Sequence, residues 1–248
     1  MLLCAVALTA CEKNAVQDIT GSLPGARIKF FNFGVGAPAV NFYANDSKIT
    51  AITSATGVEA VTGVASGGVG SGGFYSAIQP GAYTFTGKIA AAIDKDVVVS
   101  RATTTLAASK AYSFYISGIY DAATKAAEAF VVEDAFVDTL DYTVSYVRFV
   151  NAIANANPMT LYARNPTSGL EVPVGGAVAY KSAGAFTALP GGVYDISTRY
   201  VGSTTNLITR TAVSFSVGKV YTVGARGDIT VVSTTLATRP QLDNTANR

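Results

Sequence analysis

The segment IKFFN, residues 28–32, recurs later in the chain as VRFVN, residues 147–151. Both copies place a β-branched residue, a basic residue, a phenylalanine, an apolar residue and an asparagine in the same order. Aromatic and β-branched residues in this density favour a β-strand. The recurrence therefore predicts two related units, each of which opens with the same strand.

Two further matches follow the opening motif in the same order. PGAY at residues 80–83 returns as PGGVY at 190–194, and KAY at 110–112 returns as KVY at 219–221. A period of more than one hundred residues is too long for a solenoid, whose repeats span about 20–50 residues. We therefore predict a duplicated domain, with repeats at residues 26–138 and 144–238 and a polar tail at 239–248.

Each repeat contains many short segments in which apolar and polar residues alternate. Tyr112, Phe114 and Ile116 alternate with serines, for example, as expected of a strand with one buried face. Seven or eight such segments per repeat predict an all-β fold with two tandem immunoglobulin-like antiparallel β-sandwich domains. Among them we expect strands at 57–64 and 229–234, and residues 122–129 also allow a helix.

The repeated motifs together resemble the bacterial family called domain of unknown function 4397. The resemblance rests on the opening [VI]-[RK]-F-x-N strand, the later P-G-x-Y strand and the K-x-Y strand that ends in glycine. It covers most of residues 26–236. It implies extracytoplasmic β-domains, often in tandem and in secreted or lipid-anchored proteins, and it supplies no activity and no functional residues.

The first residues indicate where the protein is located. An apolar run at residues 2–9 ends in Leu8-Thr9-Ala10-Cys11, which looks like a bacterial lipobox. We predict a signal peptide at 1–10, lipidation of Cys11, and a lipidated N-terminus with a flexible tether at 11–25.

The basic residues that usually open a signal peptide are missing, and we expect Met1 to be internal to a longer reading frame. Two alternatives stay open for the cysteine. If Cys11 is not lipidated, it is either a buried thiol in a first strand or half of a disulfide with Cys4.

Composition excludes several classes of chemistry. The chain has no histidine, its only cysteines are Cys4 and Cys11, and it has no tryptophan. This excludes histidine-based catalytic triads and histidine-ligated zinc. A net charge of +2 does not indicate nucleic-acid binding. We expect no enzyme activity and no cofactor.

Four acidic residues near the junction of the repeats, Glu133, Asp134, Asp138 and Asp141, are a candidate calcium site. Solvated linker charge is the simpler interpretation. The glycine tract SGGVGSGG, residues 66–73, either cradles a phosphate or forms a flexible loop, and the strand-like residues after it favour the loop.

Other candidates are single residues. Asn32 and Asn151 end the opening strands, where an asparagine side chain can satisfy backbone groups of the following loop. Tyr120 and Tyr200 are candidate exposed aromatics for stacking on glycans.

From these observations we predict a non-enzymatic, lipid-anchored protein of the bacterial envelope, at the outer membrane or cell surface. It serves as a binding, structural or adhesive module, and its expected partners are the membrane, through the anchor, and a glycan or an envelope protein. The alternatives are a carbohydrate-binding surface lipoprotein and, third, a hydrolase. We expect no nucleic-acid partner.

Overall fold

The computed structural model describes residues 25–50 and 62–248. Within these residues the chain forms eighteen β-strands and one short 3-10 helix (Gly70–Gly73), with no α-helix. No helix in this part of the chain is long and apolar enough to cross a membrane. The predicted signal peptide, Cys11 and most of the tether lie outside the described residues, as does most of the strand predicted at 57–64.

The strands divide into two sets of nine. The first repeat contains β1 (Ala26–Asn32), β2 (Val40–Ala44), β3 (Ser47–Lys48), β4 (Gly68–Val69), β5 (Ser76–Ile78), β6 (Gly81–Ile89), β7 (Val98–Leu106), β8 (Ala111–Asp121) and β9 (Ala126–Glu133). The second repeat contains β10 (Val144–Asn151), β11 (Met159–Arg164), β12 (Glu171–Val178), β13 (Ser182–Ala183), β14 (Thr187–Pro190), β15 (Gly192–Tyr200), β16 (Ile208–Phe215), β17 (Val220–Arg226) and β18 (Gln241–Ala246).

Both repeats have the same sheet topology. In the first, one sheet has the order β4-β1-β8-β9, with β5 also paired to β1, and the other has the order β3-β2-β6-β7. In the second, the orders are β13-β10-β17-β18, with β14 paired to β10, and β12-β11-β15-β16. The predicted all-β fold of tandem sandwiches is confirmed, and the equal strand orders support its origin by duplication.

Two of the four sheets are purely antiparallel, as predicted, and each of the other two contains one parallel pair of strands, which the prediction did not include. β1 runs parallel to β8, and β10 runs parallel to β17, while the other pairs between strands are antiparallel. Side-chain alternation is the same in both kinds of sheet. The sequence therefore carried no signal for strand direction.

Two other local predictions are wrong. Residues 122–129, considered as a helix, form the turn between β8 and β9 and the start of β9. Lys125 in this turn has a φ of 54°, which a helix does not allow. Ladder pairing with β8 thus overrides the helix propensity of the alanines.

The end of the chain also differs from the prediction. Residues 229–234, predicted as the last strand, form turns and irregular structure, and the ninth strand lies instead within the predicted polar tail. This strand, β18, pairs with β17 along its whole length. Of its side chains only Leu242 belongs to the described core, and Asp243 pairs with Arg226 of β17.

Each sandwich has its own apolar core, to which the opening strand contributes one face. Phe30 packs against Phe42, Phe85 and Phe114, with ring centroids 5.0, 5.9 and 6.0 Å away. Phe149 occupies the equivalent position in the core of the second sandwich.

The opposite faces of the two opening strands meet each other. Phe31, Phe33, Tyr115 and Phe130 of the first repeat form one buried cluster with Val150 and Ala152 of the second. The four sheets therefore stack in this order: the sheet that contains β2, the sheet that contains β1, the sheet that contains β10 and the sheet that contains β11. This stacking explains why β1 and β10 are buried on both faces, as expected of a strand between two packed layers.

The two repeats have diverged where they touch. Tyr115 in β8 corresponds to Gly224 in β17, five residues after the lysine of each K-x-Y motif. A Cβ on Gly224 would lie 2.7 Å from the Phe33 ring, so the missing side chain leaves room for that ring. The large Phe33 side chain of the first repeat thus packs against the small Gly224 of the second repeat.

The prediction for the two motif asparagines is confirmed. Asn32 is fully buried, and its amide nitrogen donates to the carbonyls of Pro38 and Val64 at 3.0 and 2.9 Å. Asn151 donates to the carbonyl of Val178 at 3.2 Å and accepts from the backbone of Ile153 at 3.0 Å.

We expect Asn32→Ala to lower the free energy of unfolding by about 1–3 kcal/mol, because buried carbonyls lose their donor. Urea denaturation monitored by circular dichroism measures this change. Asn157→Ala is the matched control, since this asparagine is exposed, and it should change the stability by less than about 0.5 kcal/mol. Equal effects of the two substitutions would contradict the assigned role.

Candidate functional site

A buried polar cluster lies at the junction of the two repeats. Its two cations are Lys29 of β1 and Arg148 of β10, the equivalent basic residues of the opening motif, and both are 1% exposed. They lie on the strand faces that meet the other repeat. A charge buried this deeply is stable only when hydrogen bonds or an opposite charge compensate for the lost water.

Arg148 is fully engaged by partners from both repeats. Its guanidinium forms an ion pair with the buried carboxylate of Asp134, donates to Thr222 Oγ1 at 2.9 Å and donates to the Glu133 carbonyl at 3.0 Å. It also lies 4.8 Å from the centre of the Phe186 ring. Such an ion pair is costly to break, because each charge would remain buried alone.

Asp134 collects three further contacts from the first repeat. Its second carboxylate oxygen accepts hydrogen bonds from the Tyr75 hydroxyl at 2.5 Å and from Ser113 Oγ at 2.8 Å. Its backbone amide donates to the Ala111 carbonyl at 2.7 Å. The carboxylate is therefore held in one position between β8, Tyr75 and the second repeat.

Lys29 lies on the other side of Tyr75. Its Nζ donates to the Ala246 carbonyl at 2.9 Å and to Asn247 Oδ1 at 3.0 Å, and lies 4.4 Å from the centre of the Tyr75 ring. Burial lowers the pKa of Lys29 to about 8; the Asp134 carboxylate opposes this shift and the Arg148 guanidinium adds to it. Burial and the same carboxylate raise the pKa of the Tyr75 phenol.

A groove of about 540 Å³ opens beside this cluster. The glycine tract, Phe74 and Tyr75 line one side, and residues 244–248 line the other. Phe74 is 77% exposed at the groove. The groove thus combines an exposed aromatic ring with polar side chains from the last strand.

The glycine tract is packed against its neighbours, which corrects the predicted flexible loop. Ser66 Oγ donates to the Gly34 carbonyl at 2.7 Å, and the Gly67 amide donates to the Asn32 carbonyl at 2.6 Å. Gly67 has a φ of 82°, and a Cβ there would lie 2.8 Å from the guanidinium carbon of Arg226. The tract leads into strand β5 and not into an α-helix, so it lacks the helix N-terminus of a phosphate cradle.

The structure does not bring the four candidate calcium ligands together. Asp134 is buried in its ion pair, while Glu133 beside it is exposed and contacts Lys110 at 3.0 Å. Asp138 is exposed, and Asp141 accepts hydrogen bonds from Thr143. Consecutive residues of an extended chain point to opposite sides, which separates the first two carboxylates. Across residues 25–50 and 62–248, no three acidic or cysteine side chains are grouped to hold a metal ion.

The two candidate glycan-stacking tyrosines are less available than expected. Tyr120 and Tyr200 are partly buried and pack against the first and second core respectively. Phe74 and Tyr142, at 77% and 73% exposed, are the more accessible aromatics.

Sequence reasoning missed Lys29, Arg148 and Asn247 as a group. The available signal was a basic residue between apolar neighbours in both copies of the opening strand. An isolated charge inside a strand that is apolar on both faces indicates a buried polar contact. Its partners come from distant parts of the chain, so no local motif marks them.

The comparisons with known proteins agree with the repeat structure. The family model described as Domain of unknown function (DUF4397) matches residues 26–162 and residues 145–248. No curated protein matches the chain.

Solved structures show only remote likenesses. The TIE protein of Bacillus anthracis is 14% identical, with a TM-score of 0.26, over 81% of this chain and 33% of that one. A leucine-rich repeat protein of Bacteroides thetaiotaomicron is 10% identical, with a TM-score of 0.23, over 82% and 26%. A candidate cell adhesion protein of Bacteroides ovatus is 11% identical, with a TM-score of 0.23, over 92% and 97%. This chain spans about a third or less of the first two structures.

Proposed function

We propose that this chain, which belongs to the family described as Domain of unknown function (DUF4397), is a non-catalytic binding or adhesive module of the bacterial cell envelope. The junction between the repeats is the observation that supports this role. Its ionisable groups are Lys29, Asp134 and Arg148, and they hold the repeats together instead of facing a substrate cleft. Two sandwiches that are fixed to each other suit a module that presents its binding surfaces in a constant relative orientation.

Anchoring at the membrane is part of the same proposal. Lipidation of Cys11 would attach the chain to the envelope, with residues 11–25 as a tether between the lipid and the first strand. Full-length protein labelled with palmitate in bacteria tests this step. We expect label in the wild type and none in Cys11→Ala, and equal labelling of both forms would contradict the anchor.

The second candidate function is binding of a glycan, and the groove beside Phe74 favours it. An exposed aromatic ring supplies the apolar face on which a sugar ring stacks. Asn244 and Thr245, from the opposite side of the groove, are hydrogen-bonding residues. This combination is a specific reason to test glycans beside proteins as partners.

One experiment separates the two candidates. The purified full chain is applied to immobilised envelope fractions that are untreated, digested with protease, or oxidised with periodate to destroy glycans. A protein partner predicts that retention is lost after protease treatment, and a glycan partner predicts that it is lost after periodate. A chain that is not retained on the untreated envelope would contradict both.

A matched pair of variants locates the surface. For a glycan partner, Phe74→Ala should weaken binding about fivefold to thirtyfold, because loss of a stacking aromatic removes roughly 1–2 kcal/mol. Ile93→Ala is the control, since this side chain is 82% exposed in the turn between β6 and β7, away from the groove. Equal retention of both variants would exclude the groove.

A further inference from the structure

The contact between Lys29 and Asn247 places an amine against a carboxamide in a buried site. Lys29 Nζ lies 3.0 Å from Asn247 Oδ1, and its second hydrogen bond, to the Ala246 carbonyl, fixes the amine beside that carboxamide. The two residues are 218 positions apart in the chain and belong to different repeats. We propose that Lys29 and Asn247 form an intramolecular isopeptide bond, with release of ammonia.

The lysine is suited to act as the nucleophile. An amine attacks a carbonyl carbon only in its neutral form, and burial lowers the pKa of Lys29 to about 8. Roughly a tenth of such amines are neutral at pH 7, far more than for an exposed lysine. The Lys29 side chain is 1% exposed, so few water molecules solvate the amine and stabilise its charged form.

The carboxamide is held in position at both of its polar atoms. Asn247 Nδ2 donates to Thr222 Oγ1 at 2.6 Å, and the Tyr75 hydroxyl lies 3.5 Å from Asn247 Oδ1. The single proton of this hydroxyl is donated to Asp134 at 2.5 Å, so the hydroxyl packs beside the carboxamide oxygen without donating to it, and Asp134 is a positioning residue for the Tyr75 side chain.

The reaction balances without a cofactor or an oxidant. The lone pair of Lys29 Nζ forms a bond to Asn247 Cγ, and the Cγ–Nδ2 bond breaks with its electron pair on nitrogen. One proton passes from Nζ to the departing nitrogen, which leaves as ammonia. The products are a secondary amide and free ammonia, and the groove of about 540 Å³ that Tyr75 and Asn247 line gives the ammonia a path to solvent.

The product would join the opening strand of the first repeat to the end of the last strand of the second. It would also replace a buried amine that carries charge near neutral pH with a neutral amide, which removes the desolvation penalty of the charge. A covalent closure of this kind resists forced separation of the repeats. The inference goes beyond the proposed function, because it holds whatever the chain binds.

Peptide mapping of the folded full chain tests the bond. Trypsin cannot cut after a lysine whose amine is acylated. The proposal therefore predicts one branched peptide, in which residues 28–48 are joined to residues 227–248 with the loss of one ammonia. Tandem mass spectrometry that places the branch on Lys29 and Asn247 would confirm it. Cleavage after Lys29, with both linear peptides at their sequence masses, would overturn the proposal.

Three variants make the assignment specific. Lys29→Arg keeps a buried cation but removes the acylated amine, and Asn247→Ala removes the electrophile, so neither should give the branched peptide. Lys110→Arg is the control, because this lysine is exposed and pairs with Glu133, and it should give the branched peptide in full. If either site variant fails to fold, the wild-type map decides alone.

Discussion

Substitution of Asp134 by alanine should lower the free energy of unfolding by about 3–5 kcal/mol. The substitution leaves the Arg148 guanidinium 1% exposed and without its opposite charge. It also removes the acceptor of the Tyr75 and Ser113 hydroxyl groups. Equilibrium unfolding in urea, followed by circular dichroism, measures the loss.

The neighbouring residue is the matched control. Glu133→Ala removes a carboxylate whose ion pair with Lys110 is about half exposed, and it should cost about 0–1 kcal/mol. The double variant Asp134→Leu with Arg148→Met removes both buried charges, and it should recover most of the stability lost in Asp134→Ala. A loss as small as that of the control would show that the ion pair is exposed to water.

Tyr115→Ala should have an effect of similar size, about 3–5 kcal/mol, because it empties the centre of the cluster between the repeats. The Tyr115 ring is fully buried and stacks on Phe31 and Phe130, with centroids 4.5 and 5.0 Å away. The same urea titration measures the loss. Tyr142→Ala is the control, since this ring is 73% exposed, and it should change stability by less than about 0.5 kcal/mol.

The position of Tyr115 makes this substitution informative about the junction. A loss of stability with unchanged cooperativity would fit two repeats that unfold together. A loss of stability below about 1 kcal/mol would contradict the packing of the sheet that contains β1 against the sheet that contains β10.

The tandem sandwich could be predicted because its evidence is local. Strand alternation, the turn chemistry of Pro80-Gly81 and Pro190-Gly191, and the spacing of the repeated motifs are all readable along the chain. The loop-capping role of Asn32 could be predicted for the same reason, since one of its partners, the Pro38 carbonyl, lies in the loop that directly follows the opening strand.

The remaining features depend on contacts between distant segments. β18 has a polar sequence with Leu242 as its one residue in the described core, so it lacks the alternation of apolar and polar residues that indicates a strand. The parallel pairing of β1 with β8 leaves no mark on the alternation of side chains. Asn247 can be recognised as a candidate only through its contact with Lys29, which is 218 positions away in the sequence.

The two proposals about the molecule are independent in their tests. Retention on envelope fractions concerns the outer surface, and the branched peptide concerns the buried junction. A chain that forms the isopeptide bond and binds no envelope component would support the bond and contradict the binding function. A chain that binds the envelope without forming the bond would support the binding function and contradict the bond.

The two repeats form one body, joined through the faces of β1 and β10. Differential scanning calorimetry of the full chain is the direct test of this arrangement. We expect a single transition, with a calorimetric enthalpy equal to the van't Hoff enthalpy, as for one cooperative unit. Two separable transitions, or a calorimetric enthalpy well above the van't Hoff value, would show that the repeats unfold independently and would contradict this arrangement.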